Sequence, residues 1–399
     1  MKKLLSVVLA LLMLAVMLPV VAMADDANYC TIEGVDGKFD TLTAAAKAWR
    51  ESKRVVTEGN TFGANNLGTV EFIVWDIYGT VPVGDGAGVV GDNGAGECIF
   101  TGGYFTPDVT VSKVTVTGHN NATISKTNDE YRVSVNANEV VFANITFEDT
   151  MRNTGNPGSL TFTNCTFKAG LRMPHAGANS TLKVENCTFT GEVASDYAIF
   201  VQGPKGGTMS NVVLSGNKIS GYQRGVNVQA GTSATVSITG NTITNLTGYT
   251  KNDQTYGAAI QLTTGREFII TNNKIDVNTG NAFRFYSGLD ADVTISDNII
   301  KAPYLVWNQA ELPNEKITSQ DNKLTITNPN KAATSDGALE DATVIKAAPT
   351  QIVIITPAGD TPKTEPEKNP TTGANDMVAA AAALMAVSAL GMAVLSRKK

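Results

Sequence analysis

The sequence predicts an all-β fold, a parallel β solenoid, and three observations predict it. The first is a phrase, apolar-x-(Asn/Gly/Asp)-x-x-(Phe/Ile/Leu). It occurs at residues 142–147, 162–167, 184–189, 214–219, 238–243, 270–275 and 295–300, with a degraded last copy at 319–324 that begins on Ser319. The copies start 20, 22, 30, 24, 32, 25 and 24 residues apart, a period that fits one solenoid coil per repeat. The second is the fourth position of the phrase, which reads Ile145, Cys165, Cys187, Asn217, Asn241, Asn273, Asn298, Asn322. Side-chain amides stacked at strand spacing each donate to the next and accept from the last. The third is a second short alternating strand between the phrases: 171–173, 199–201, 226–228, 260–262, 283–285 and 305–307.

The elements follow in chain order. Residues 1–24 read as a secretory signal peptide: Met1-Lys2-Lys3 is positive, Leu4 to Val21 is apolar apart from Ser6 and Pro19, and Ala22-Met23-Ala24 is a small-x-small cleavage site. Cleavage is expected between Ala24 and Asp25. Residues 25–67 read as an N-terminal cap. A helix over 39–52 starts at Asp40 or Thr41 and lines up Leu42, Ala45, Ala46 and Trp49 at i, i+3, i+4 and i+7. Such a helix is expected to cover the open end of a solenoid, which is otherwise prone to aggregate. The solenoid spans 68–346, its strands starting near Glu71–Tyr78. From 347 to 368 prolines interspersed with Thr, Lys and Glu (Pro349, Pro357, Pro362, Pro366) predict an extended, disordered stalk, with Ile352 to Ile355 apolar enough to pair with the preceding domain. Residues 369–399 end the chain. Within them 377–395 is a run of 19 uncharged residues, about 28 Å as a helix and so close to the hydrocarbon thickness of a bilayer. The basic tail Ser396-Arg397-Lys398-Lys399 keeps to the cytoplasmic side and leaves everything before it outside.

Asn369-Pro370-Thr371-Thr372-Gly373, the apolar span and the basic tail together resemble the LPXTG-type sorting signals of Gram-positive surface proteins. Asn369 stands where leucine is usual. The resemblance implies a sortase that attacks the Thr372 carbonyl, releases Gly373 onward and passes the acyl group to peptidoglycan. The location expected is the extracellular surface, with wall anchoring, or membrane anchoring if the tail is kept. The repeats from about 68 to 327 resemble right-handed parallel β-helix proteins of the pectate-lyase-like architecture. That resemblance specifies fold far better than activity, and it implies that one outward parallel face holds a polysaccharide groove.

On the second strands the first and third residues are expected inward. The outward column is then Arg172, Phe200, Asn227, Gln261, Arg284 and Val306, with Gln202, Gln229, Thr263, Tyr286 and Asn308 one step along. Amides, arginines and aromatics suit hydroxyls and acidic sugars. Arg172, Phe200, Asn227, Gln261, Arg284 and Tyr286 are the candidate ligand-binding residues.

Catalysis finds less support. Glycoside hydrolysis needs two flanking carboxylates, yet Asp196, Asp253, Glu267, Asp276, Asp290 and Asp292 scatter over turns and other strands. Glu148 and Asp149 are neighbours whose side chains diverge on a strand. His119, expected in a turn, and His175 lack metal- or triad-like spacing. No catalytic residue, metal or cofactor is expected. Lys and Arg number 31 against 37 Asp and Glu, so nucleic acid is excluded as a partner. The four cysteines are too few for a disulfide scaffold. Cys165 and Cys187 fall in one column about 4.8 Å apart, which leaves open a disulfide or a stack of free buried thiols; Cys30 and Cys98 could staple the cap to the first coils. The favoured reading is a non-catalytic, adhesin-like surface module that binds polysaccharide or host glycans. A β-helix lyase or hydrolase, and a structural spacer, are the alternatives.

Overall fold

The computed structural model describes residues 28–52, 69–84, 110–125, 137–152, 157–173, 179–192, 196–203, 207–328, 331–334, 339–341 and 351–353. The signal site Ala24/Asp25, Cys98, His175, the sorting motif Asn369–Gly373 and the span 377–395 lie outside them. Among the described residues no helix is long and apolar enough to cross a membrane.

Among the same residues the protein is a parallel β-helix. Twenty strands form one sheet that runs the length of the stack, and seven form a second. The phrase has a local cause. Its third residue always has a left-handed backbone: Asn144, Asn164, Asn186, Gly216, Gly240, Asn272, Asp297 and Asp321 all have φ between 53° and 67°. Glycine reaches that region freely, and Asn and Asp reach it at low cost. The chain turns a corner there, from a five-residue strand such as Ser159–Thr163 to a two-residue strand such as Thr166–Phe167. In the first two coils the strands run on through this region as Thr69–Pro82 and Thr110–Ser125.

Registers keep like residues in line. Phe142 pairs with Phe162, Phe162 with Val184, and then Leu214, Ile238, Ile270, Ile295 and Ser319 follow. The degraded copy therefore occupies its expected rung. In the early coils the core is a double aromatic stack. Phe142 lies on Phe162 at 5.2 Å, Phe147 on Phe167 at 5.0 Å, and Phe167 on Phe189 at 4.7 Å between ring centroids.

The asparagine column is a ladder. Asn217, Asn241, Asn273, Asn298 and Asn322 are at most 2% exposed. From Asn241 to Asn322 each Oδ1 accepts from the backbone N–H of the preceding coil's asparagine, at 2.8–3.0 Å. Their Nδ2 groups donate along the same line, Asn217 to Asn241, Asn241 to Asn273, Asn273 to Asn298 and Asn298 to Asn322. The cysteines continue it in sulfur: Cys187 N–H donates to Asn217 Oδ1, and Cys165 N–H to Cys187 Sγ at 3.4 Å. Of the two arrangements open for this pair, the structure has free thiols, not a disulfide. Each S–H donates to a main-chain carbonyl, Cys165 to Thr163 and Cys187 to Glu185, as the asparagine amides do. Cys30 is also a free thiol, held against the Phe39 and Thr41 carbonyls.

The first strand, Tyr29–Ile32, runs antiparallel along Thr69–Pro82. The helix is Leu42–Ser52, and Thr41 is its cap, its Oγ1 accepting the Ala44 N–H. Leu42, Ala45, Ala46 and Trp49 are all buried in the core cluster, which is the apolar face the spacing predicts. At the other end Gln351–Val353, inside the segment read as stalk, pairs parallel with Lys323–Ile326 and adds a rung, in the apolar stretch expected to pair with the preceding domain; the rest of that segment after 353 lies outside the described residues.

Candidate functional site

The seven-stranded sheet runs in the order Met151–Arg152, Leu171–Met173, Tyr197–Gln202, Arg224–Gln229, Ala258–Thr264, Asn281–Phe285, Tyr304–Asn308. All its pairings are parallel and near in-register. Inward residues such as Ile199, Val226, Ile260 and Phe283 enter the core. This alternation brings Arg172, Phe200, Asn227, Gln261 and Arg284 into one outward column, as the spacing predicts.

The last rung departs from expectation. Arg284 pairs with Trp307, and Phe283 with Val306. Val306 is a core residue and Trp307 the outward one. The apolar triplet Leu305-Val306-Trp307 reads equally well in either phase, and only register separates the two. The position of Phe285 is taken by Asn308, whose amide instead ties down the following turn through the Leu312 N–H and C=O. A second departure is Thr263. The register shifts after Val228, so Gln229 pairs with Thr264, and Thr263 is the extra, bulged residue, turned onto Asn227.

The column is bound into one polar chain. Tyr197 Oη donates to Gln261 Oε1 at 3.1 Å, Gln261 Nε2 to Thr263 Oγ1 at 3.3 Å, and Thr263 Oγ1 to Asn227 Oδ1 at 2.9 Å. The Asn227 amide hydrogens, at the chain's end, have no acceptor among the described residues. Arg284 joins from the other side. Its Nη1 donates to Gln261 Oε1 at 3.3 Å and its Nη2 to Gln309 Oε1 at 2.8 Å. Its guanidinium lies over two rings, Trp307 at 4.1 Å and Tyr286 at 4.8 Å. Tyr286 is thus brought against Arg284.

Arg284 is 6% exposed, and among the described residues no carboxylate pairs with it. Its Nε is buried without a partner, and so is that of Arg172. Burial pulls Arg284 below the ordinary arginine value, with neighbouring Tyr197 and Tyr286 pulling back; the group still carries its charge, since arginine is not deprotonated in proteins. The site therefore holds a cation met by aromatic faces and neutral amides only.

Among the described residues Asp196 does reach this face. Asp196 precedes Tyr197–Gln202 and forms a forked ion pair with Arg224, Nε to Oδ1 at 2.6 Å and Nη2 to Oδ2. The Arg224 guanidinium rests on the Tyr197 ring at 4.0 Å. Burial is the largest influence on Arg224 and pulls it down, but the bond from Asp196, with the nearby Tyr197 and the Asp196 charge, together outweigh it and the net shift is upward. Burial pushes the Tyr197 hydroxyl up to about 12. Tyr197 stacks on Phe200, with centroids 5.8 Å apart. Tyr197, Arg224 and Trp307 were not foreseen as site residues. Tyr197 and Arg224 stand two residues ahead of the apolar triplets, at the start of longer strands, where the triplet pattern has no signal.

The remaining acids are dispersed. Asp276 meets Lys301 at 3.1 Å, Glu267 lies 3.9 Å from Arg266, and Asp290 pairs with Lys316. Among the described residues no three His, Cys, Asp or Glu converge as metal ligands. His119 has a partner that the sequence did not suggest. It lies within strand Thr110–Ser125, not in a turn, 2.7 Å from Asp76 Oδ1 and stacked on Tyr78. This pair is on the first coils, away from the column.

A family model described as a right handed beta helix region matches residues 150–328, a stretch that contains the seven-stranded sheet. No curated protein and no solved structure matches the chain. The fold is a right-handed parallel β-helix.

Proposed function

We propose that this right-handed β-helix is a glycan-binding module, non-catalytic and adhesin-like, exported and displayed on the bacterial surface. The observation that carries the reading is the column from Arg172 to Trp307: a buried cation without a counter-carboxylate, two aromatic faces, and amide donors left open at Asn227. Sugars offer hydroxyls to amides and C–H faces to aromatic rings. Among the described residues the carboxylate at the site, Asp196, is engaged by Arg224. A lyase or hydrolase would need acids that this arrangement does not offer among the described residues.

Export and anchoring rest on the two ends of the chain. The basic-apolar-small start supports cleavage after Ala24, and the Asn369–Gly373 motif with its apolar span and basic tail supports transfer by a sortase to peptidoglycan. The partners are then sortase, peptidoglycan and a polysaccharide or host surface glycan.

A glycan array probed with the full-length chain tests the binding reading. Hits that weaken in Arg172→Ala and Arg284→Ala are expected. No hit, or hits indifferent to both changes, turns the module into a spacer; new reducing ends in a polysaccharide digest turn it into an enzyme. The mass of the wall-released protein tests anchoring. A C-terminus at Thr372 carrying a peptidoglycan remnant is expected, and an intact Lys399 refutes it.

A further inference from the structure

The charge along the column is uneven. Arg172 and Arg284 are four rungs apart, with Phe200, Asn227 and Gln261 between them. Four strand spacings are about 19 Å. Neither Arg172 nor Arg284 pairs with a carboxylate among the described residues, and each keeps a buried Nε without an acceptor. The three rungs between carry no charge, and Asn227 and Gln261 are buried. Arg224, near them, is already neutralised by Asp196.

A glycan laid along the stack advances by about one sugar per rung, since a pyranose unit is close in length to the strand spacing of about 4.8 Å. A chain with a carboxylate on every sugar would then press anions against Phe200, Asn227 and Gln261. Those rungs strip water from an anion and return no cation, which is a net cost. A neutral chain would leave both arginines uncompensated. We propose that this face selects a glycan whose negative groups are sparse, about one for every four sugars, so that anions fall at Arg172 and Arg284 and neutral sugars lie between. This rests on the reading that the column binds a glycan, and it goes further in naming the charge pattern.

Four linear oligosaccharides test it by calorimetry on the full-length chain. One is neutral, a gluco-oligosaccharide. One carries a carboxylate on every sugar, an oligogalacturonate. One has a single glucuronate per tetrasaccharide repeat, as in gellan fragments. The fourth is the neutral chain sulfated once per four sugars, which tells carboxylate from sulfate recognition. The sparse chains are expected to bind about tenfold tighter than the neutral and the fully charged ones, with the preference shrinking as salt rises. Arg172→Gln lies at the half-buried end of the column and is expected to cost about five- to tenfold in affinity for the sparse chains, with an unchanged melting curve. Arg172→Lys is expected to recover part of it. Equal or tighter binding of the oligogalacturonate, or of the neutral chain, overturns the spacing while leaving glycan binding intact. Binding of none of the four overturns the spacing, and the glycan array then decides whether the binding reading falls with it.

Discussion

Asn273 shows how much one side chain carries in this fold. Its Oδ1 accepts from the N–H and the Nδ2 of Asn241, and its own Nδ2 reaches the Ile238 and Thr271 carbonyls and Asn298 Oδ1. Asn273→Ala takes the partner from the buried Asn241 donors and from the buried Ile238 carbonyl, both on the preceding coil. A stranded buried group costs about 1–3 kcal/mol, so a loss of about 3 kcal/mol or more is expected in urea unfolding. Asn273→Asp should be worse, because a carboxylate cannot donate to Asn298. The ladder was readable beforehand, since five asparagines at one phrase position have no surface explanation. Trp307 was not, because a one-residue phase choice in an apolar triplet changes its face without changing its pattern. Tyr197 supplies a test by pH. Its hydroxyl is raised by burial from 10.0 to about 12. The folded state therefore keeps a proton that the unfolded chain loses first. The resulting stability is present below pH 10 and is lost as pH rises from there through about 12. Alkaline denaturation should be shallower in Tyr197→Phe than in the parent when melting temperature is followed against pH.

At the scale of elements, coils approach so closely that some positions accept no side chain. A Cβ on Gly118 would lie 2.2 Å from the Asn144 carbonyl oxygen of the next coil. That neighbour is backbone and cannot rotate away, so Gly118→Ala is expected to cost about 1–3 kcal/mol as overpacking. The same change at Gly288, where φ is positive and nothing lies within 4 Å, meets only backbone strain; comparing the two melting temperatures separates crowding from conformation. The phenylalanine stack is the opposite case, a space that must stay filled. Phe162 lies flat on Phe142 and edge-on to Phe147 and Phe167. Phe162→Ala should cost about 3–5 kcal/mol, seen as a lower denaturant midpoint. The strand phrases and the amphipathic helix were legible because period and burial coincide in them. The bulge at Thr263 was not, because a single inserted residue leaves composition and spacing of the flanking triplets intact.

At the scale of the whole molecule, the stack is a series of coils that contact mainly their neighbours, with Tyr29–Ile32 laid along the outer edge of the first long strand. Removing residues 28–52 exposes that edge and the core face beneath the helix. Concentration-dependent oligomers in size-exclusion chromatography are expected from such a truncation, beyond any that the parent forms at the same concentrations. The fold as a whole was the most legible feature, because a repeat multiplies a weak local signal by eight. The site was legible only in part, because outward positions obey no periodic demand beyond facing out. The inter-coil hydrogen bonds, finally, all lie along the stacking direction. Tension between the ends of the stack therefore meets one rung at a time and not all rungs in shear. Under load the protein should pay out coil by coil, each releasing 20–32 residues, roughly 70–110 Å of extended chain at about 3.5 Å per residue. A module of this kind lengthens before it lets go, and atomic-force pulling should record a train of small steps, each set by the length of one coil, in place of one large rupture.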